Sequence, residues 1–325
     1  MKSHRKEDIH FFTFYLYNMA TPKLIKINTI SEAHQFLGLH KPENPLISIV
    51  NYAEFQIPED TTEFRATFEF YTISIKKNVR NKLYYGQQRC DFEGGIMFFM
   101  SPNQVLRAEL GSITTVAEPS GWVLLIHNDF LWNTTLAQKM KQYDFFYYAA
   151  NEALFLSEKE ETIINGIIQN IQNEYQRNID KFSKQIIISH IENLLSYAER
   201  FYNRQFITRE KNNHHILEQL EVLLNDYFAD SDLISKGLPT VHFISKKLNI
   251  SSNYLSRLLK TLTGQSTQQF IHEKLIEKAK EKLSTTDLSV SEIAFELGFE
   301  HLQSFSKLFK AKTKQSPLEF RQSFN

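Results

Sequence analysis

The feature that most constrains this chain is a tandem repeat near its C-terminus. Residues 252–270 (SNYLSRLLKTLTGQSTQQF) align over residues 302–320 (LQSFSKLFKAKTKQSPLEF), and seven of nineteen positions are identical. These are Ser256/Ser306, Leu258/Leu308, Lys260/Lys310, Thr263/Thr313, Gln265/Gln315, Ser266/Ser316 and Phe270/Phe320. Upstream, Ile244/Ile293, Leu248/Leu297 and Ile250/Phe299 continue the match at a shift of 49 instead of 50. The one-residue change between the two blocks marks a turn. Each copy reads as a short helix, a tight turn and a second helix, which is helix-turn-helix architecture.

Helical spacing then sorts the faces. In the first copy, helix 241–248 carries Ile244 and Leu248, Asn249-Ile-Ser makes the turn, and Ser251 or Ser252 caps a helix through Leu262. In the second, helix 290–297 carries Ile293, Ala294 and Leu297, Gly298 frees the turn, and helix 301–312 follows. Leu255, Leu258 and Leu259, and Phe305, Leu308 and Phe309, are the expected buried positions. A helix over 268–284 joins the copies through Ile271, Leu275, Ala279 and Leu283. The exposed faces carry Ser252, Asn253, Ser256, Arg257 and Lys260, then His301, Gln303, Ser306, Lys307 and Lys310. Arginine holds guanine O6 and N7 together, asparagine and glutamine pair with adenine, and lysine suits phosphate. Arg257 is the only arginine on either face and is the expected main base reader. A helical bundle with solvated charged faces explains one copy as well as DNA does. Two copies with matching faces, ~34 Å apart, favour a duplex read on successive turns.

Charge agrees. The whole chain balances 37 Lys+Arg against 37 Asp+Glu, but residues 236–325 hold 14 basic and 8 acidic side chains, leaving 23 against 29 before them. A basic C-terminal part on an acidic body fits a nucleic-acid-binding module attached to something else.

The first two-thirds has a different texture. Residues 46–130 are rich in β-branched and aromatic residues broken by turn signals, and read as an antiparallel sandwich or small barrel. Ser157 caps an expected helix to about Tyr175, and a second spans about 180–202 with Ile187, Ile191, Leu194, Leu195, Ala198, Phe201 and Tyr202 in its stripe. That stripe is wide enough for its own barrel and a twin helix, so a homodimer contact through Ile191 and Leu195 is expected. The polar stretch 204–216 is the expected linker, and residues 1–18 an expected disordered tail. Tyr71, Tyr85, Phe99 and Trp122 are candidate ligand-pocket residues, with core packing the alternative reading. Cys90 is the only cysteine and His127 the only histidine between Leu46 and Asn151, so no metal, cofactor or disulfide is expected. No apolar run approaches the ~18 residues of a membrane span, and a cytoplasmic protein is expected.

Residues 217–322 resemble the AraC/XylS-type DNA-binding domain of bacterial transcription regulators. The resemblance rests on ISKKLNISSNYLSRLLK from Ile244, LSVSEIAFELGFE from Leu288, FSKLFK from Phe305 and SPLEFR from Ser316. Lys314 departs from it, standing where the family usually has glycine. The resemblance implies an all-α domain of seven helices whose third and sixth read double-stranded DNA. More loosely, residues 85–104 resemble the cupin-like sensory domains that often precede it. The expected whole is α+β and multidomain: a cupin-like barrel with flanking helices over 19–203, then the DNA-binding domain over 217–325. A homodimer, a small-molecule effector and RNA polymerase are candidate partners. Three alternatives stand beside a regulator: a cupin-type enzyme with a DNA-targeting tail, which lacks the metal triad; a repair methyltransferase, which lacks a cysteine cluster; and an architectural DNA protein without a pocket.

Overall fold

The computed structural model describes residues 24–56, 63–77, 84–85, 88–89, 95–109, 120–149, 152–176, 180–208, 210–230 and 233–323. The expected tail at 1–18 and Cys90 lie outside them. The chain divides into two compact units, Met1–Tyr202 and Asn203–Asn325.

The first unit is built on two sheets. Its strands are β1 (Leu24–Ile27), β2 (Ile47–Asn51), β3 (Glu63–Phe68), β4 (Phe70–Lys77), β5 (Tyr84–Tyr85), β6 (Gln88–Arg89), β7 (Ile96–Met100), β8 (Val105–Glu109), β9 (Ser120–His127) and β10 (Leu154–Phe155). One sheet has the order β10-β7-β4-β9-β2, a second β1-β3-β8, and among the described residues β5 pairs with β6. Helix α1 (Ile30–Phe36) follows β1. Alternation along β4 assigns its two faces. Phe70 shares a core with Val50, Val123 and Leu125 of its own sheet, with Phe64 and Ala66 of the other, and with Ile30 and Ala33 of α1. Tyr71 and Ile73 face the opposite way. The expected antiparallel barrel is corrected in two respects. Among the described residues neither sheet closes on itself, and β1 pairs with β3 in parallel.

Helices cover the other face of the five-stranded sheet: α2 (Asn128–Leu131), α3 (Leu136–Lys139), α4 (Glu158–Tyr175) and α5 (Ser183–Thr208), with a 3-10 turn at Asp144–Tyr147. Ser157 caps α4 through a reciprocal pair with Glu160. His127 ends β9 and caps α2 by accepting from the Asp129 N–H, a packed strand-end role. The α5 stripe corrects the expected dimer face. Ile191, Leu194, Leu195 and Ala198 are all 0% exposed in the single chain. Their width is used inside the molecule, so an aspartate at Ile191 would unfold the protein instead of parting two copies.

The second unit is all helical: α6 (Glu210–Ala229), α7 (Leu233–Lys236), α8 (Val241–Lys247), α9 (Ser252–Thr263), α10 (Thr267–Thr285), α11 (Val290–Glu296), α12 (Leu302–Thr313) and α13 (Pro317–Gln322). These are the seven implied helices plus the single turn α7. The expected linker at 204–216 is helical on both sides of Arg209. Within it Gln205, Phe206 and Asn213 are each 1% exposed, and the Asn213 side chain donates to the Phe206 carbonyl.

One core serves both repeats. Ile244, Leu255 and Leu259 of the first copy and Ile293, Leu297, Phe305 and Phe309 of the second join Ile271, Leu275, Ala279 and Leu283 of α10. Capping boxes start α10, α11 and α13 at Ser266, Ser289 and Ser316. The turns match too. Asn249 (φ 56°) takes the left-handed place that Gly298 (φ 82°) takes in copy two, and Lys314 (φ 66°) the one that Gly264 (φ 73°) takes in copy one. A side chain in that region costs ~1–2 kcal/mol, partly offset by glycine's greater chain entropy when unfolded. Lys314→Gly is therefore expected to stabilise the second unit by about 0.5–1 kcal/mol, read from the far-UV circular dichroism midpoint in urea. An unchanged or lower midpoint would show that the lysine is not strained.

Candidate DNA interface

Each repeat presents the helix after its turn, α9 or α12, and the core fixes which side of that helix is free. Leu255, Leu258 and Leu259 are 0% exposed on α9, and Phe305 and Phe309 on α12. Leu308, expected as core, is half-buried. The expected reading residues lie on the remaining faces, but the two helices differ in what those residues do.

On α9 most of them are engaged within the unit. Ser251, not Ser252, caps the helix by accepting from the Tyr254 N–H. Ser252 Oγ lies 2.8 Å from Ser245 Oγ, tying α9 to α8 across the turn. Ser256 Oγ lies 3.2 Å from Thr267 Oγ1 at the start of α10. The Arg257 guanidinium donates through Nη2 to Asn203 Oδ1 at 3.0 Å. Lys260 Nζ donates to the Gly264 carbonyl at 2.9 Å, a cation on its own helix C-terminus. Asn253 is half-buried on the same face.

On α12 the arrangement is open. His301, Gln303, Lys307 and Lys310 are exposed and Ser306 is half-buried. Among the described residues none of these side chains has a hydrogen-bond or ion-pair partner within the chain. Lys246 and Lys247 close α8 nearby in sequence and leave the first copy basic as well.

The candidate ligand residues of the first unit do not form one pocket. Tyr71 and Phe99 are 6% and 5% exposed. Tyr71 meets the Phe146 ring at 5.1 Å, and Phe99 meets Phe145 at 4.6 Å and Phe146 at 5.6 Å, so both are packed core. Burial raises the Tyr71 hydroxyl pKa, with the nearby Tyr147 hydroxyl adding to it. Tyr85 lies in β5, where only the backbone is described. Trp122 alone lines a groove, one of about 410 Å³ between the sheet and α4 that also touches Asn51, Lys77, Glu161 and Asn165. Its indole N–H donates to Asn165 Oδ1 at 2.9 Å. Glu161, nearly buried there, accepts from the Gly95 N–H and Asn165 and pairs with Lys77. Sequence reasoning missed this network because its members lie far apart in the chain. No group of three or more His, Cys, Asp or Glu able to hold a metal occurs among the described residues. No helix among them is long and apolar enough to cross a membrane.

Residues 244–323 match the family model described as a helix-turn-helix domain. An uncharacterized HTH-type transcriptional regulator, YfiF, from Bacillus subtilis is 30% identical over 143 residues, covering 44% of this chain and 42% of that protein. The HTH-type transcriptional activator RhaS of an Enterobacter species is 34% identical over 119 residues, covering 34% of this chain and 38% of that protein. The chain thus spans about two-fifths of the length of these relatives (42% and 38%). Among solved structures, the C-terminal domain of the response regulator yesN from Fusobacterium nucleatum is 34% identical, covering 32% of this chain and 95% of that one, with a TM-score of 0.28. The repeat, the fold of the second unit and the matched residues agree. Residues 244–323 are a helix-turn-helix domain of the AraC/XylS type.

Proposed function

We propose that this protein is a sequence-specific DNA-binding transcription regulator that presents α9 and α12 to successive major grooves. The observation that carries the proposal is the matched pair of faces, above all the exposed His301, Gln303, Lys307 and Lys310 of α12, whose side chains make no hydrogen bond or ion pair among the described residues. Arg257 was the expected main reader from sequence. Its engagement by Asn203 moves the first reading role to α12. A DNA-bound regulator works where the genome is, in the bacterial cytoplasm. Control by a small effector fits the first unit best at the groove beside Trp122, since Tyr71 and Phe99 fill core. Pairing with a second copy needs a surface other than the buried Ile191–Leu195 stripe. No observation favours the enzyme alternative, and the relatives carry the names of regulators.

Titration of full-length variants against a selected duplex and a scrambled one, at two salt concentrations, tests this reading. Gln303→Ala is expected to lose ~1–3 kcal/mol on the selected duplex and to relax one base preference. Lys310→Ala is expected to weaken both duplexes alike and to flatten the salt slope by about one. If both variants bind the two duplexes as the unaltered protein does, α12 does not face DNA.

A further inference from the structure

The stretch 203–208 closes α5 and belongs to the second unit. Asn203 and Phe206 stand three residues apart, on one helical face. Tyr254 and Arg257 of α9 have the same spacing. The two pairs interlock. The Phe206 and Tyr254 rings are 5.0 Å apart and each side chain is 1% exposed, while Asn203 Oδ1 accepts from Arg257 Nη2 at 3.0 Å. The Asn213 side chain donates to the Phe206 carbonyl and pins the stretch from α6. The aromatic pair sets where Asn203 lies, and Asn203 is one of the groups that hold the guanidinium.

The second repeat has no counterpart. Ser304 occupies the Tyr254 position and is exposed, offering no ring for a covering segment, and Lys307 at the Arg257 position has no partner among the described residues. The restraint is specific to the first copy.

We propose that Asn203, some fifty residues upstream of α9, is a specificity-determining residue that withholds Arg257 from DNA until a base exchanges for it. The inference rests on the reading of α9 as a DNA-facing helix. A guanidinium held by a carboxamide reaches guanine O6 and N7 only when that bond is given up. A duplex with guanine opposite Arg257 therefore gains the base contact less the Asn203 bond. A duplex without it leaves the bond in place. Asn203 thus compresses the protein's discrimination at that one base pair, and the apparent affinity for the guanine duplex falls by the fraction of molecules with Arg257 released.

The experiment uses full-length protein. Duplexes selected from a random pool by the unaltered protein and by Arg257→Ala identify the base pair whose preference depends on Arg257. Asn203→Ala is then titrated against that duplex and against the same duplex with the guanine replaced. The expected result is roughly three- to tenfold tighter binding to the guanine duplex and unchanged binding to the other. Asn203→Asp, which adds charge at the same place, is expected to shift the guanine duplex the opposite way. Circular dichroism of both variants checks that α5 and α9 persist. If Asn203→Ala binds the guanine duplex equally or more weakly while Arg257→Ala has erased the preference, Asn203 is not a restraint and the reading of α9 stands. If Arg257→Ala changes no preference, α9 is not a reader and the inference falls with it.

Discussion

Replacing Phe305 by alanine is expected to lower the stability of the second unit by ~3–5 kcal/mol, the usual cost of emptying a buried phenylalanine site. Phe305 is 0% exposed, and its ring lies 5.3 Å from Phe299 and 5.8 Å from Phe309. It therefore joins the turn of the second repeat to the core beneath α12. Against the ~5–15 kcal/mol that separates most domains from unfolding, such a loss is a large share. The two tryptophans make the measurement selective. Trp122 and Trp132 both lie in the first unit. In urea, Phe305→Ala should move the helical signal of circular dichroism to lower denaturant while the tryptophan fluorescence transition stays in place. A fluorescence transition that moves equally would mean that the units unfold as one.

Gly121→Ala is expected to do the reverse and to cost about 3 kcal/mol or more. Gly121 has φ +120°, a region that side chains rarely enter, and a Cβ there would lie 2.0 Å from the Ile75 carbonyl oxygen. It pairs with Lys76 where β9 runs against β4, at the middle of the five-stranded sheet. The substitution cannot be relieved by turning a side chain, because the obstacle is backbone. Tryptophan fluorescence should report an early transition, with Trp122 the adjacent residue in the same strand. A transition within about 0.5 kcal/mol of the unaltered protein would show that the strands shift freely there.

The second unit was largely legible in the sequence because its information is local. Caps, turns and a 3.6-residue period fix each helix within a dozen positions. The long helix expected over 268–284 is observed as Thr267–Thr285, with all four of its stripe residues in the core. The first unit was legible only in texture. Strand order and the parallel β1·β3 pair depend on partners tens of residues apart, which alternation along one strand does not encode. Aromatic content could not separate Tyr71 and Phe99, packed against α5 and the 3-10 turn, from Trp122, which lines a groove. Polarity did not reveal that Gln205 and Asn213 are buried, nor apolar breadth that the α5 stripe is consumed within one chain. At the candidate interface the faces were readable from periodicity. The Asn203–Arg257 bond was not, since nothing in either repeat points to a carboxamide so far upstream.

The open face of α12 bears on how this protein can change over generations. Among the described residues the Gln303 and Lys307 side chains make no hydrogen bond or ion pair, so on the proposed reading exchanging them would alter which promoter is recognised while the fold persists. On α9 the equivalent exchanges would disturb Ser252–Ser245, Ser256–Thr267 or Arg257–Asn203 as well. If α12 reads DNA as proposed, duplicated genes descending from such a chain would acquire new targets most cheaply through it. On that same reading, a library randomised at 303 and 307 would yield folded members that differ in the DNA they choose, whereas one randomised at 256 and 257 would also lose the Ser256–Thr267 and Arg257–Asn203 contacts.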